Sequence, residues 1–345
     1  MSEEVRDTAV DAHAVSEWLT TLGIEHELPL LIRRIGLGQS NLSYRVSDAE
    51  GHAWVLRRPP LGRLLASAHD VVREARIVAA LADTGVRAPR ILGVTEDPAL
   101  FGAPAILMDF VDGLVVDDMA VAEALTPHQR HQIAVSMPHT LAAIHAVDLS
   151  TTGLLDLASH KPYAPRQLAR WSAHWEHSKT RELPELDDLT RRLRAAVPEQ
   201  RETCLVHGDF HLRNLIVSRD TGAVEATLDW ELATLGDPLA DVGTLLTYWP
   251  EPGEATGDAF APSKLEGFPD RAEMIRMYLN ETGRDPAALQ YWHVLGLWKL
   301  AIIAEGVIRR AVDEPENRAA AGTPTRGVVD SLVSRAREIA NRHRI

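Results

Sequence analysis

The chain has 345 residues, of which 45% are hydrophobic and 25% charged, a composition typical of a globular protein large enough for two lobes or domains. Its formal net charge of −13 argues against a broad surface for nucleic acid or anionic membrane. The one cysteine, Cys204, excludes an intrachain disulfide and is expected to be a buried structural thiol in a reducing compartment. Residues 1–20 lack the apolar segment of a secretory signal, and no apolar run approaches the roughly 18–20 residues of a membrane span. We therefore expect a cytoplasmic protein that binds neither nucleic acid nor membrane, and the sequence leaves its oligomeric state open.

The N-terminal third carries the pattern of a β-rich lobe. Helical spacing of apolar residues over Asp11–Leu22 predicts an opening helix. The pattern Ser67–Asp70 matches a capping box and predicts a second helix that ends near Ala82. Five apolar segments are predicted to be strands of one sheet: Leu30–Ile35, Leu42–Val46, Ala53–Arg57, Ile91–Thr95 and Ala105–Phe110.

The rest of the chain is predicted to be mostly helical. Thr126-Pro127 indicates the beginning of a helix that ends near Ala146, and Pro138 should kink or interrupt it. We therefore predict an N-terminal lobe of residues 1–112 and a C-terminal lobe of residues 113–345. Further helical patterns in the second lobe are Gln167–Ser178, Leu186–Ala196, Arg271–Glu281, Pro286–Arg310 and Thr325–Arg342.

One segment of the C-terminal half has the spacing of a phosphoryl-transfer site. Asp209 and Asn214 are separated by four residues, the interval between the proton-accepting Asp and the metal-binding Asn of a kinase catalytic loop. Leu215–Val217 and Ala226–Leu228 are predicted to form a hairpin, which would bring Asn214 and Asp229 together at its open end. Amide and carboxylate oxygens are ligands that Mg²⁺ prefers. Any one of these features alone is more often a turn or a helix cap. Four of them in this order predict a magnesium site: His207-x-Asp209, Asn214 at the kinase interval, the hairpin, and Asp229 directly after it.

A glycine-rich stretch in the N-terminal third is a second candidate element. Gly36 and Gly38 lie between two predicted strands, whereas a dinucleotide-binding fold needs a helix to follow. A hairpin loop without side chains lets backbone N–H groups approach the phosphates of a nucleotide. Taken alone, a Gly-x-Gly hairpin is usually only a tight turn.

A phosphate-binding cation in the first lobe would have to be an arginine, since no lysine precedes Lys161. The alternation of a strand places Arg57 on the same face as Val55 and opposite to Arg58. Arg57 is therefore predicted to pair with Glu74 of the next helix, as a kinase lysine pairs with its glutamate. A solvent-exposed Arg57 and a surface Glu74 are the alternatives.

These segments resemble the aminoglycoside phosphotransferase and choline kinase-like family, whose members share the protein-kinase fold. The likeness spans about residues 15–310 and is closest to the branch found fused to, or encoded near, acyl-CoA dehydrogenases. Further fragments that carry it are Gly38–Asn41, Val55–Pro60, Arg73–Glu74, Met108–Gly113 and Leu235–Asp241.

The resemblance implies an α+β, bilobal protein-kinase-like fold with a β-rich N-terminal lobe, one main helix in that lobe and a mostly helical C-terminal lobe. It also implies that Asp209 accepts a proton from the substrate hydroxyl and that Asn214 and Asp229 hold Mg²⁺. His207 would orient the catalytic loop by hydrogen bonds, and Asp241 would brace it.

The resemblance implies that the protein binds both the adenine base and the phosphates of ATP. The adenine edge would meet backbone groups of Asp109 and Val111, while the phosphate side would involve Gly36, Gly38, Ser40, Arg57 and Glu74.

The sequence departs from the family pattern at the position of the usual lysine, which is Arg57. The metal-binding DFG position reads Asp229-Trp230-Glu231, which is usual for the family but differs from the protein kinases and removes their activation switch. The leading interpretation is an ATP- and Mg²⁺-dependent phosphotransferase that acts on a small hydroxylated metabolite, such as a hydroxyacyl-CoA, an amino sugar or an amino alcohol. The alternative is a nucleotide-binding pseudokinase that serves as an interaction module, and only Arg57 favours it.

Two further groups of residues leave alternatives open. Trp171 and Trp175 lie one helical turn apart, and we expect them to pack in the core rather than to line a substrate shelf. Four arginines could form a basic entrance for CoA phosphates or could simply lie on solvated helix faces: Arg166, Arg170, Arg309 and Arg310.

Overall fold

A computed structural model describes residues 10–36, 41–60, 70–157, 161–254, 258–313 and 323–345. Within these ranges the helices are α1 (Ala12–Thr21), α2 (Val71–Ala80), α3 (Pro98–Phe101), α4 (Met119–Ala124), α5 (Pro127–His145), α6 (Tyr163–Ser178), α7 (Pro184–Ala195), α8 (Pro238–Thr247), α9 (Arg271–Thr282), α10 (Leu289–Asp313) and α11 (Arg326–His343). The strands are β1 (Leu31–Ile35), β2 (Leu42–Ser47), β3 (Ala53–Arg58), β4 (Ile91–Thr95), β5 (Ala105–Asp109), β6 (Cys204–Val206), β7 (Leu215–Val217), β8 (Val224–Thr227) and β9 (Thr234–Gly236).

The strands form one large sheet and two small ones. The large sheet has the order β1-β2-β3-β5-β4, and all its neighbouring strands are antiparallel. The small sheets pair β6 with β9 and β7 with β8, and a hydrogen bond from Ser218 N to Ala223 O (2.8 Å) closes the turn of the second. An α+β protein with five predicted strands in one sheet, followed by helices and a short hairpin, is therefore confirmed.

The chain divides into two compact units. The first unit consists of Met1–Asp112 and Glu225–Glu231, and the second of Gly113–Val224 and Leu232–Ile345. The sequence-based boundary had placed Glu225–Glu231 in the C-terminal lobe. A backbone hydrogen bond from Thr227 N to Arg87 O (2.8 Å) is one of the contacts that fix this segment within the first unit.

Successive side chains on a strand point to opposite faces of a sheet, so each face of the large sheet presents its own set of apolar residues. Both faces are covered within the first unit. One face carries Leu56 and Leu107 and packs against Trp18 of α1. The other face carries Ile106 and Met108 and packs against α2. Arg57 lies on the second face, which faces α2 as the strand alternation predicts.

The core of the second unit is built around α10. Most of its 25 residues are buried, and it crosses α8 at two glycines. A Cβ on Gly243 would lie 2.5 Å from backbone atoms of Trp292, and one on Gly296 would lie 2.4 Å from Thr247 Oγ1. Any larger residue at Gly243 would therefore force the two helices apart.

Two local predictions concern helices. Helix α5 is not interrupted at Pro138, which is buried. Helix α2 begins at Val71 with Asp70 as its N-cap, which accepts a hydrogen bond from Arg73 N at 2.8 Å, so it does not begin at Ser67. Ser67 itself lies outside the described residues.

One apolar segment meets the length and composition of a membrane span, although the sequence analysis expected none. It is Pro286–Asp313, and 89% of its most apolar window is buried inside the protein, as in a core helix.

Helix α8 begins at a carboxyl group that is almost completely buried. Asp237 accepts a hydrogen bond from Leu239 N at 2.9 Å and is only 7% exposed. Burial raises the pKa of Asp237 from 3.8 to about 6, although the hydrogen bond from Leu239 opposes this shift.

We expect Asp237→Asn to stabilise the protein at pH 7 but not near pH 4. The folded state holds the Asp237 proton more tightly than the unfolded state, so this contribution to stability is complete below pH 4 and is lost as the pH rises through 6. The loss is on the order of 3 kcal/mol. Asparagine stays neutral and caps a helix equally well. The measurement is the midpoint of thermal unfolding at both pH values, with Asp270→Asn, an exposed N-cap, as the control. Equal stabilisation at pH 4 and pH 7 would contradict the expectation.

Candidate active site

The predicted catalytic loop follows β6 and is held by a buried carboxylate of α8. Asp241 has no solvent exposure and accepts hydrogen bonds from His207 N (2.6 Å) and Gly208 N (2.8 Å). Burial alone would raise the pKa of Asp241, but the hydrogen bonds from His145 and the Gly208 amide lower it on balance. The predicted bracing of the loop by Asp241 is therefore confirmed as a contact.

His207 is completely buried within this loop. Its Nδ1 accepts a hydrogen bond from Asp209 N at 3.3 Å. The buried ring thus contacts the backbone of the same loop, and the role predicted for His207, to orient the loop by hydrogen bonds, stays a prediction.

The carboxylate of Asp209 lies among polar groups of the second unit. His211 Nε2 is 3.4 Å from its Oδ2, and Tyr248 forms a hydrogen bond with it. Burial would raise the pKa of Asp209, but the His211 ring and the Lys299 ammonium hold it well below its usual range. Asp209 is therefore an anion at neutral pH and can accept a proton or a hydrogen bond from a hydroxyl group.

Asn214 ends the short 3₁₀ turn that follows Asp209. Its Nδ2 donates to the carbonyl of Asp209 at 2.9 Å and lies 3.4 Å from Asp209 Oδ2. Because the amide nitrogen is directed at Asp209, the amide oxygen is the end that remains for a cation.

Within the first unit, Arg57 joins two carboxylates. Its Nε lies 3.1 Å from Glu74 Oε2, and its Nη2 lies 2.5 Å from Asp229 Oδ1. Glu74 is 3% exposed, and the Arg57 side chain is 13% exposed. Burial disfavours the charged guanidinium, but Glu74 and Asp229 more than offset this and raise the pKa of Arg57. The predicted ion pair with Glu74 is confirmed, and a solvated surface role for either residue is excluded.

Asp229 adopts a backbone conformation that few residues other than glycine tolerate. Its φ is +64°, in the left-handed region where a residue with a Cβ is disfavoured and where Asp and Asn are the usual exceptions. Arg57 binds its side chain, and Glu74 accepts a hydrogen bond from the following amide, Trp230 N, at 3.3 Å. Asn41 Nδ2 also donates to Glu231 Oε2 at 3.1 Å. These contacts on both sides hold the strained residue in place.

The chemistry of the donors fits magnesium. Asp229 is one-third exposed, and its Oδ2 has no partner among the described residues. In the ranges that the structure covers, no three or more His, Cys, Asp or Glu side chains are grouped to hold a metal. Asp229 in the first unit and Asn214 in the second therefore each offer an oxygen of the kind that Mg²⁺ prefers as a ligand.

The remaining nucleotide-binding predictions lie at the end of β1 and after β5. Gly36 has a φ of +75°, which favours glycine, whereas Gly38 and Ser40 lie outside the described residues. Asp109 N donates to Arg90 O at 3.0 Å, so its carbonyl is the backbone group that could meet an adenine edge. Val111 is partly buried, and within the described ranges its N–H has no partner.

Three residues near Asp209 were missed by the sequence analysis: Lys299, Tyr248 and His211. Lys299 donates to Gly208 O at 2.8 Å and is 8% exposed. The sequence feature that could have pointed to Lys299 is its place as the one lysine in the apolar run of α10. Tyr248, whose ring centroid lies 4.3 Å from that of His211, gave none, because a tyrosine in an apolar segment usually belongs to the core.

The structure shows the surroundings of both tryptophans, and of two of the four arginines, for which the sequence left alternatives open. Trp171 and Trp175 are 8% and 2% exposed, as expected for core residues. Arg166 donates to Leu235 O at 2.7 Å, and exposed Arg309 pairs with Asp313 at 2.8 Å. Cys204 is buried and free, as predicted.

Comparison with known proteins identifies the family. The profile of the Phosphotransferase enzyme family matches residues 31–290. Acyl-CoA dehydrogenase family member 10 of Mus musculus is 35% identical over 314 residues, which cover 89% of this chain and 29% of that protein. The chain therefore spans less than a third of the length of this relative.

Solved structures share the fold. A protein of Ralstonia eutropha JMP134, provisionally assigned as an aminoglycoside phosphotransferase, has a TM-score of 0.75 and 29% identity, with 96% of this chain and 97% of that chain covered. Aminoglycoside phosphotransferase APH(4)-Ia, solved with AMP-PNP and hygromycin B, has a TM-score of 0.60 and 16% identity, with 94% and 97% covered. The kinase-like bilobal fold is thereby confirmed, and the chain belongs to the Phosphotransferase enzyme family.

Proposed function

We propose that this protein is an ATP- and Mg²⁺-dependent kinase that transfers the γ-phosphoryl group to a hydroxyl of a small molecule. The observation that carries the proposal is the Asp209 carboxylate, kept anionic in a loop that Asp241 braces and Asn214 closes. Membership of the family and the AMP-PNP bound to a structural neighbour support ATP as the donor. We place the enzyme in the cytoplasm, and the acceptor classes are hydroxyacyl-CoA thioesters, amino sugars and amino alcohols.

The proposed reaction assigns a separate task to each group of residues. Asp209 would accept the proton of the acceptor hydroxyl as its oxygen bonds to the γ-phosphorus and the bond to the β-phosphate oxygen breaks, which leaves ADP. Asn214 and Asp229 would hold Mg²⁺, which when bound neutralises charge on the phosphates. Arg57 would bind phosphate oxygens while it remains paired with Glu74. The backbone after β5, at Asp109 and Val111, would meet the adenine edge, and the glycine loop with Gly36, Gly38 and Ser40 would cover the phosphates.

The direct test is ADP release from MgATP with a panel of the three acceptor classes, measured beside nucleotide binding. Turnover that depends on both Mg²⁺ and one acceptor class supports the proposal. Nucleotide binding without turnover on any acceptor would instead indicate the non-catalytic alternative.

We expect Asp209→Asn to lower phosphoryl transfer by about 10²- to 10⁴-fold, the usual contribution of a general base. Nucleotide affinity and the thermal midpoint should change little, because Asp209 is assigned to the acceptor rather than to the nucleotide. Steady-state kinetics with the best acceptor of the panel, together with calorimetric ATP binding, measure both quantities. Asp220→Asn, which alters an exposed residue of the turn between β7 and β8, is the control. Near-normal turnover by Asp209→Asn would remove Asp209 from the proposed role.

The proposed metal site is tested best with Asp229→Asn, since asparagine also tolerates a positive φ and the backbone should keep its conformation. We expect this variant to lose the gain in ATP affinity that Mg²⁺ provides, because it lacks the charged ligand. Asn214→Ala should raise the Mg²⁺ concentration needed for half-maximal activity.

Titrations of ATP with and without Mg²⁺ provide the measurement. Glu225→Gln, which alters another carboxylate of the first unit with a similar exposure of 32%, serves as the control. If Asp229→Asn responds to Mg²⁺ as the unaltered protein does, the metal does not bind at this carboxylate.

Arg57→Ala should weaken ATP and ADP binding by about 10- to 100-fold, the range of a charge-assisted hydrogen bond, and adenosine binding much less. The difference arises because Arg57 is assigned to phosphate rather than to base. Arg57→Lys should bind with intermediate affinity, since the charge is kept but the planar fork is lost.

Two other arginines provide the controls. Arg87→Ala removes an exposed ion pair with Glu225 in the same unit and should leave nucleotide affinity unchanged. Arg58 is 1% exposed on the opposite face of β3, so Arg58→Ala should lower the thermal midpoint without a selective loss of phosphate binding. A larger effect on ATP affinity from Arg58 than from Arg57 would refute the assignment.

A further inference from the structure

A carboxylate binds the backbone N–H of Gly208, and an ammonium group binds its backbone carbonyl. The N–H of Gly208 donates to Asp241 Oδ1 at 2.8 Å, and its carbonyl accepts from Lys299 Nζ at 2.8 Å. Both side chains are buried, at 0% and 8% exposure. Hydrogen bonds to ionised partners are about twice as strong as neutral ones, so the two together define the orientation of this residue.

Gly208 also has little freedom to adopt another conformation. Its φ is +82°, and a Cβ there would lie 2.8 Å from the carbonyl oxygen of Leu232. The residue that follows it is Asp209. Rotation of the Gly208 peptide would therefore change the direction of the Asp209 carboxylate directly.

The burial of Lys299 calls for an explanation beyond packing. An ammonium group is rarely buried unless it is paired, and burial lowers the pKa of Lys299 while the nearby Asp209 and Asp241 favour its charged form. Arg170 also acts on it, in the opposite direction. Its Nζ lies 5.3 Å from the centre of the Trp171 ring, a further favourable contact for a cation.

We propose that Lys299 is a positioning residue of the phosphotransferase. Its ammonium fixes the Gly208 carbonyl opposite to Asp241, and its charge balances the buried Asp241 carboxylate and the partly buried Asp209 carboxylate, so that the Asp209 side chain is held in the direction needed to meet the acceptor. This inference rests on the proposed role of Asp209. It assigns to α10, remote in sequence from the loop, a direct part in shaping the site.

The test compares Lys299→Met and Lys299→Gln with Lys179→Met, a lysine of the same unit whose partners are the exposed Glu176 and Glu182. Methionine fills a similar volume without charge or donor, and glutamine keeps a donor but no charge. The activity probe is ADP release from MgATP with water as the acceptor. Hydrogen exchange of the amides of residues 207–209 is read in parallel and requires no turnover.

We expect kcat to fall by about 10- to 100-fold in Lys299→Met, as for a small misplacement of a catalytic group, with an unchanged KM for ATP. Lys299→Gln should also lose rate, and exchange at residues 207–209 should be faster in both variants. Lys179→Met should match the unaltered protein. If the methionine variant does not fold, the glutamine variant carries the same comparison.

The inference is overturned if either folded Lys299 variant keeps the normal kcat, if exchange at residues 207–209 is unchanged, or if Lys179→Met loses as much rate. Asp209→Asn is measured in the same experiment. If it turns over MgATP as fast as the unaltered protein, the proposed function itself is wrong; if it is inactive while Lys299→Met is normal, only the role of Lys299 fails.

Discussion

The hydrogen bonds between the Asp241 carboxylate and the amides of residues 207 and 208 are the interaction on which the second unit's site depends. A charge with no solvent exposure must be compensated, and here two loop N–H groups and His145, at 3.3 Å, provide the compensation. His145 is in turn bonded to the Tyr278 hydroxyl at 2.7 Å. The geometry of the loop is therefore tied to helices α5, α8 and α9 by an uninterrupted chain of polar contacts, and it is only as well defined as their packing.

That packing is close because glycines permit it. All ten residues of α8 are buried, and Gly243 and Gly296 let α8 approach α10 at distances that no side chain would allow. The carboxylate of Asp241 on α8 and the ammonium of Lys299 on α10 both contact Gly208 of the loop. The two helices that carry these side chains pack closely against each other. Rigid helices thus hold a loop that could not define its own geometry.

Sequence patterns predicted the elements that have a periodic, half-buried signal. Strand β3 alternates in burial from Ala53 to Arg58, and for that reason the pairing of Arg57 with Glu74 could be read from the sequence. Helix α8 was missed because a helix buried on all sides has no amphipathic pattern. The beginning of α2 was misplaced because both Ser67 and Asp70 can cap a helix, and only packing chooses between them.

The candidate site shows the same division. Asp209, Asn214 and Asp229 could be proposed because a motif has fixed intervals along the chain, whereas Lys299 lies 90 residues beyond Asp209 and no spacing rule connects them. The positive φ of Asp229 was likewise hidden, since it follows from contacts made by Arg57 and Glu74 on either side of its peptide.

Arg57 uses two different nitrogens to bind its two carboxylate partners. Nε binds Glu74 and Nη2 binds Asp229, so one guanidinium holds two carboxylates with separate donors. A lysine would have to divide a single nitrogen between them. Removing one partner from a buried pair costs far more than the pair itself contributes, so the buried Glu74 depends on this arginine for compensation. The substitution therefore keeps the positive charge and the ion pair with Glu74.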